Sequence, residues 1–114
     1  MMKKIECFIR PEKLEMVKDA LFKIGIQGMT IYEVKGHGRQ RGIKLTGRTG
    51  EYVVHWINKI KLEIFINGSH DIVKIADIIM KNASTGAPGD GKIFILPVDE
   101  AFRIRTGEKG EKVI

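Results

Sequence analysis

Apolar and polar residues alternate with two different periods along this chain, and these periods divide it into strands and helices. Ile5, Cys7 and Ile9 share one side of an extended segment, which predicts a first strand over Lys4 to Ile9. A longer alternation over Lys59 to Ile66 sets isoleucine and leucine opposite lysine, glutamate and phenylalanine. Further strand patterns cover Met29 to Lys35, Tyr52 to Ile57, Ile93 to Val98 and a terminal piece, Ala101 to Thr106.

Two segments carry apolar residues at helical spacing. The first starts at Pro11, a favourable first helical position, and stops at Gly25. The second is predicted to follow Ser69, whose hydroxyl suits an N-cap, and to end at Thr85. The order is therefore β-α-β followed by β-α-β. This order predicts an α+β, ferredoxin-like βαββαβ sandwich in which two helices cover one face of an antiparallel sheet.

The uncovered face of that sheet is predicted to be partly apolar. The alternation places Phe8, Tyr32 and Phe65 on it. An apolar face of this kind usually contacts a partner surface. We therefore expect the chain to associate with copies of itself.

Glycine and basic residues fill the connection between the second and third strands. From Gly36 to Gly50 the apolar residues are Ile43 and Leu45, so the segment has too few apolar side chains to form a packed core. It is predicted to be a long mobile loop at the tip of a hairpin. Loops of this length within a domain are usually functional, although disorder without a function is an open alternative.

Length and composition limit the chain to a single domain over residues 1–114, since 114 residues with 43% apolar content can bury one core. Its apolar runs are far shorter than the roughly 20 residues of a membrane span. The N-terminus has no apolar stretch of the signal-peptide kind, which favours a cytoplasmic protein without membrane insertion. Cys7 has no other cysteine to pair with and is predicted to be a small core residue.

The net charge of +6 indicates an anionic partner, and three basic or glycine-rich elements could supply the contacts. The segment Gly89-Asp90-Gly91-Lys92 combines flexible backbone with an ammonium group, the chemistry that holds phosphate. The other two elements are Gly36 to Gln40 and the Arg103/Arg105 pair, whose guanidinium groups can fork onto phosphate oxygens. Taken singly, each is also compatible with an ordinary turn or a solubilising edge.

Catalytic chemistry has little support in the sequence. His37, His55 and His70 lie far apart, and no metal-binding spacing of histidine and cysteine is present. A small phosphate-handling enzyme therefore lacks a recognisable nucleophile or base. An RNA-binding ferredoxin-like module is a second alternative, but the aromatic RNP1 pattern is missing from Ile60 to Ile66.

Four stretches together resemble the PII family of nitrogen-regulatory signal-transduction proteins. They are Ile9-Arg10-Pro11, Glu33 to Gln40, Thr85 to Phe94, and Arg103-Ile104-Arg105-Thr106-Gly107-Glu108. They occur in the family order and span essentially the whole chain. The resemblance implies a non-enzymatic homotrimer whose sheets line a central barrel, with ATP or ADP held in three clefts between subunits.

The resemblance also implies ligand-binding roles for particular residues. The nucleotide would contact Thr30, Gly36, His37, Gly38, Arg39, Gln40, Glu63, Gly89, Asp90, Gly91, Lys92, Arg103 and Arg105. Mg²⁺ bound to the ATP phosphates would also chelate 2-oxoglutarate, aided by Gln40 and by Lys59. A keto acid offers two hard oxygens to Mg²⁺ and leaves a carboxylate for an ammonium group.

In the family, the ligands switch a mobile T-loop, which corresponds here to residues of about 37–54. The resemblance implies that this loop docks an ammonium transporter, with Arg48 entering the channel mouth, and that the chain does not bind nucleic acid directly. A nitrogenase-regulating relative is an alternative. The arginine strand and tail would occupy residues of about 101–114.

The T-loop also contains departures from the family pattern. Tyr52 matches a tyrosine that some relatives modify, but Gly47 and Gly50 alter its surroundings, which puts modification in doubt. At the base of the loop, the residues that are commoner in the family are replaced by His55, Trp56 and Asn58.

Overall fold

The computed structural model describes residues 1–37, 43–48, 50–54 and 56–114. It contains two α-helices, six strands and short 3-10 turns within these residues. The strands are β1 (Lys3–Ile9), β2 (Thr30–Gly36), β3 (Ile43–Gly47), β4 (Gly50–Val54), β5 (Ile57–Ile66) and β6 (Lys92–Pro97). The helices are α1 (Leu14–Lys23) and α2 (Ile72–Ala83).

The main sheet has the strand order β2-β5-β1-β6, and all neighbours are antiparallel. β1 lies in the centre and pairs with a strand on each side. Its Cys7 is opposite Leu62 on β5 and opposite Ile93 on β6. This order confirms the predicted ferredoxin-like α+β fold. One consequence is that the end of β1 lies beside the start of β6.

The core lies between this sheet and the two helices. Alternate residues of β1 and β5 are buried, as predicted, and they pack against Val17, Leu21, Ile75 and Ile79 of the helices. Burial of these side chains is the main stabilising term, at about 25 cal/mol per Å² of apolar surface. Cys7 is fully buried, and burial raises the pKa of its thiol to about 11, which supports its predicted role as a core residue.

The helix boundaries follow local chemistry, but both helices start at a different residue from the one predicted. Gly25 ends the first helical region with φ of +92°, as expected. Pro11, however, opens a 3-10 turn before α1 and does not itself start the α-helix. Ser69 was predicted to cap the second helix, but its hydroxyl donates to Asn67, and Asp71 is the N-cap, accepting from the Lys74 amide at 3.1 Å.

The face of the sheet away from the helices mixes aromatic and charged residues. Tyr32 and Phe65 are 44% and 45% exposed, and Phe8 contacts Phe94 edge to face. The centre of this open face holds an ion-pair network, in which the Lys4 ammonium lies 3.0 Å from Glu6 and 3.3 Å from Glu63, and Lys61 lies near both carboxylates. The predicted apolar face is therefore present but has a charged centre.

Three predictions about strands and loops need correction. The segment Tyr52 to Ile57 is not one strand, since β4 ends at Val54 and β5 begins at Ile57. Part of the predicted loop Gly36 to Gly50 is β3, which pairs with β4. The terminal piece Ala101 to Thr106 belongs to a turn that contains an isolated bridge between Phe102 and Lys109, and it joins none of the sheets formed by the described residues.

Among the residues described, no helix has the length and apolar character required to cross a membrane.

Candidate functional site

The loop between α2 and β6, residues 84–91, is called here the glycine loop. Gly86, Gly89 and Gly91 all have positive φ, between +85° and +101°. At Gly91 an added Cβ would lie 1.7 Å from the Phe8 carbonyl oxygen, so the loop passes directly against the end of β1. Glycine alone permits both this conformation and this approach.

Asp90 organises the glycine loop from within. Its carboxylate accepts from the Thr85 amide at 2.8 Å, the Gly86 amide at 2.9 Å and the Thr85 hydroxyl at 2.5 Å. Arg10 Nε donates to the same carboxylate at 3.0 Å. The Thr85 hydroxyl and amide, assisted by Arg10 and Gly86, hold the pKa of Asp90 well below its ordinary range.

Two cations from other elements contact the backbone of the glycine loop. Arg10 Nη2 donates to the Pro88 carbonyl at 2.9 Å. Lys59, near the start of β5, donates to the Gly89 carbonyl. Burial lowers the pKa of Lys59, and the neighbouring Arg10 lowers it further. The Lys59 ammonium is thus less well solvated than a free lysine and would gain from an anion placed beside it.

A cavity of about 600 Å³, called here the cradle cavity, lies against the glycine loop. It brings together many of the predicted site residues. Its lining includes Gly36, His37, Lys59, Gly89, Asp90, Gly91 and Lys92, together with Phe8 and Phe94. Lys35 also lines it, so glycines, three lysine side chains and apolar walls surround a space that suits a phosphate or carboxylate attached to a flat organic group.

An aromatic pair lies at one edge of the cradle cavity. The rings of His37 and Trp56 are 6.0 Å apart at 61°, an edge-to-face arrangement. Trp56 is nevertheless 63% exposed. These two residues come from the end of β2 and the segment before β5, so the contact joins both sides of the T-loop base.

A second cavity, of about 830 Å³, lies at the opposite end of the sheet and is called here the far cavity. Thr30 and Glu63 line it, together with Phe65 and Phe102. The cross-strand pairing of Thr30 with Glu63 places both at this end of the sheet. These two predicted residues are therefore separated, within one chain, from the glycine loop.

The predicted arginines lie in a third place, the turn of residues 101–110, called here the arginine turn. Arg103 pairs with Glu108, and Thr106 donates to the same carboxylate at 2.8 Å. These contacts lower the pKa of Glu108. Arg105 is exposed. Neither arginine lines the cradle cavity or the far cavity.

The T-loop predictions fall partly outside the described residues. Gly38, Arg39 and Gln40 lie outside them, as does His55. Arg48 is exposed in the turn that follows β3, and the backbone of Tyr52 belongs to β4, opposite Leu45.

Arg10 was absent from the predicted site residues, although its guanidinium holds the glycine loop. The sequence nevertheless indicates that Arg10 can pair with Asp90. The βαββαβ order places the end of β1 beside the start of β6, and Arg10 and Asp90 flank these two positions. Oppositely charged residues there are expected to pair.

The side chains around the cradle cavity suit a Mg²⁺ ion that is carried by a phosphate group better than one held by the protein alone. Mg²⁺ requires hard oxygen ligands. The Asp90 carboxylate already has four donors, and the described residues contain no cluster of three or more His, Cys, Asp or Glu side chains suited to a metal. The amide oxygen of Gln40 is of the right chemical class.

The whole chain is similar to a family of regulatory proteins. The family model "Nitrogen regulatory protein P-II" matches residues 2–108. The chain belongs to the PII family. It is a signal-transduction regulator of nitrogen metabolism, and the family acts on nitrogen-metabolism targets.

Individual relatives match this PII chain over almost its full length. A "Nitrogen regulatory protein P-II 2" of Methanothermobacter thermautotrophicus is 50% identical over 99% of the chain and 97% of its own length. "Nitrogen regulatory protein P-II" of Azospirillum brasilense is 49% identical, and that of Synechocystis is 51% identical, each over 99% of this chain and all of the relative.

Proposed function

We propose that this PII protein is a non-enzymatic sensor that binds ATP or ADP in clefts between the subunits of a homotrimer. The observation that carries the proposal is the separation of the predicted ligand-binding groups within one chain. Lys92 and the glycine loop line one cavity, Thr30 and Glu63 line another, and Arg103 lines neither. Copies that place these elements side by side would complete a site for phosphates, ribose and base.

The open face of the sheet supports association in a trimer. Its aromatic residues, Tyr32, Phe65 and Phe94, are each more than two-fifths exposed. Exposed aromatic surface of this kind is typical of faces that are covered in an assembly. Nucleotide phosphates would be bound by Gly89 to Lys92 of one subunit and by Arg103 and Arg105 of its neighbour.

Mg²⁺ and 2-oxoglutarate would bind beside the ATP phosphates. Gln40 would supply an oxygen ligand to the metal, and Lys59 would pair with the far carboxylate of the keto acid. The position of Lys59 at the wall of the cradle cavity and the lowered pKa of its ammonium support this assignment. The ligand state would then control the T-loop, residues of about 37–54.

The T-loop would deliver the signal to a target protein. An ammonium transporter is the proposed partner, contacted through Arg48, which is exposed; a nitrogenase is the alternative target. A pull-down from native lysate with and without 2-oxoglutarate would distinguish them. Recovery of neither target under any ligand condition would contradict this part of the proposal.

A second candidate function is RNA binding on the open face of the sheet. The edge-to-face pair of Phe8 and Phe94 and the net charge of +6 favour it. Glu6 and Glu63 oppose it, because they place carboxylates at the centre of the surface that a nucleic acid backbone would cover. Salt-dependent binding of single-stranded RNA would support this alternative.

Calorimetry tests the main proposal. ATP with Mg²⁺ is expected to bind at one site per chain, and 2-oxoglutarate is expected to bind only when both are present. Gln40→Ala is expected to retain ATP binding and to lose the 2-oxoglutarate response. Failure of the wild-type protein to bind ATP at millimolar concentration would refute the nucleotide sensor, and rapid ATP turnover abolished by Lys92→Ala would show an enzyme instead.

A further inference from the structure

Arg10 connects the end of β1 to the glycine loop. It directly follows β1, in extended conformation with φ of −65° and ψ of 139°, and Pro11 fixes the chain after it. Its side chain is only 23% exposed. From this position its guanidinium contacts Asp90 and the Pro88 carbonyl, which lie 80 and 78 residues away in sequence.

The two partners of Arg10 lie in the glycine loop, whose glycines give it little conformational restraint of its own. Gly86, Gly89 and Gly91 in and around the turn can adopt many backbone conformations when nothing holds them. Closure of the loop depends on Asp90, which bonds the Thr85 and Gly86 amides at its start. Arg10 holds Asp90 from outside the loop and Pro88 from its middle.

Arg10 also balances the charge of Asp90. A carboxylate within a phosphate-binding loop would repel a polyphosphate unless a cation neutralised it. The Arg10–Asp90 distance of 3.0 Å provides that neutralisation without using Lys59 or Lys92. Both lysines remain on the wall of the cradle cavity, where Lys59 contacts the Gly89 carbonyl.

We propose that Arg10 and Asp90 form a brace that positions the glycine loop for phosphate binding, each acting through the other and neither contacting the nucleotide. This role rests on the proposed function, since the brace serves ATP binding. It assigns a positioning role to Arg10 and moves Asp90 from ligand contact to the support of Gly89, Gly91 and Lys92.

A direct contact between Arg10 and a phosphate is the competing explanation, and a double-mutant cycle separates the two. The test uses full-length Arg10→Gln, Asp90→Asn and the double variant, with ATP binding measured by calorimetry. If Arg10 acts through Asp90, each single change should weaken ATP binding about ten-fold, and the double change should be no worse than the more damaging single change. Additive losses would overturn the brace and support direct contact.

Three further measurements keep this test independent of folding defects and of the proposed function. Arg10→Lys, which keeps the charge but loses one of the two bonds, should restore part of the ATP affinity. Hydrogen exchange without nucleotide should become faster in residues 84–92 of Arg10→Gln and stay unchanged in α1. Lys23→Gln, an equal charge change at the exposed end of α1, is the matched control and should behave as wild type.

The outcomes are distinguishable. Unchanged exchange in residues 84–92 of Arg10→Gln, or unchanged ATP affinity, would overturn the brace while leaving the nucleotide sensor intact. Loss of ATP affinity that simply follows a fall in the thermal unfolding midpoint of all variants would also overturn it. A wild-type protein that does not bind ATP would refute the proposed function and with it the purpose of the brace.

Discussion

The glycine loop and the arginine turn both carry cations proposed for phosphate binding, but they are held in opposite ways. Long-range bonds from Arg10 and Lys59 fix the glycine loop to β1 and β5. The arginine turn is closed by bonds between residues at most nine apart, such as Arg103 with Glu108 and Gly110 with Ala101. The glycine loop is therefore held by residues distant in the sequence, whereas the arginine turn is held by bonds within itself.

The two segments therefore present their cations to a ligand in different ways. In the glycine loop the supporting acid, Asp90, is paired with Arg10, and within the described part of the chain Lys92 has no acidic partner. In the arginine turn the supporting acid, Glu108, is paired with the proposed ligand-binding residue itself. A phosphate would therefore meet a prepared glycine loop, whereas Arg103 would have to exchange its carboxylate for the ligand.

The largest expected effect is structural and falls on the glycine loop. Gly91→Ala should destabilise the protein by about 3 kcal/mol or more, because the new methyl group overlaps the Phe8 carbonyl and φ is +101°. Gly86→Ala is the matched control. It has a similar φ of +85° but open space around it, so it should cost about 1 to 2 kcal/mol.

Denaturant unfolding of the two glycine variants gives this comparison directly. Equal losses of the free energy of unfolding in both would contradict the close contact between the glycine loop and β1. The glycine loop would then be no better anchored than the arginine turn.

The next effect is on nucleotide affinity. Lys92→Ala and Arg103→Ala should each weaken ATP binding by about 1.5 to 3 kcal/mol, the scale of a charged hydrogen bond, without lowering the thermal unfolding midpoint. Calorimetry of both variants, with Lys23→Ala as a charge control, makes the measurement. An affinity equal to wild type would remove the affected residue from the phosphate site.

Glu108→Gln should have a smaller effect in the opposite direction. Removing the carboxylate that pairs with Arg103 frees the guanidinium, so ATP should bind about two-fold to five-fold more tightly. The gain should disappear in the Glu108→Gln, Arg103→Ala double variant. Weaker binding in the single variant would instead mean that Glu108 holds Arg103 in its binding position.

The smallest expected effect is the order in which the glycine loop and the arginine turn open as the pH falls. Both Asp90 and Glu108 have lowered pKa values, so each stabilises its segment above the ordinary carboxyl range of about pH 4 and loses that contribution as pH falls through its folded-state pKa. Asp90 has the lower pKa. Hydrogen exchange during an acid titration should therefore show the arginine turn opening before the glycine loop, and the reverse order would contradict the comparison.

The sequence predicted the parts of this molecule that periodicity controls. The alternation of β1 and β5 and the helical spacing in α1 and α2 defined the fold, because burial of alternate residues leaves few other arrangements. The Ser69 cap was wrong because Asp71, two residues later, offers a carboxylate acceptor to the Lys74 amide. The preference of serine for the N-cap position was not enough to choose between two candidates so close together in the sequence.

The site was predicted less completely than the fold. Motif residues such as Gly89 and Lys92 were identified by type and order, and they do line one cavity. Arg10 was missed because its partners lie 78 and 80 residues away, and only the strand order brings them together. The separation of Thr30 and Glu63 from the glycine loop likewise depends on register, which a pattern of residue types does not specify.

The edge-to-face contact of Trp56 with His37 gives this protein an intrinsic optical probe. Trp56 is the single tryptophan of the chain, so emission excited selectively in tryptophan, and not in the two tyrosines, comes from one known position at the base of the T-loop. Its indole is largely exposed to solvent, and its neighbour His37 lines the cradle cavity. Movement of that wall on ligand binding would change the emission colour or intensity, so titrations could be followed in real time on unlabelled protein.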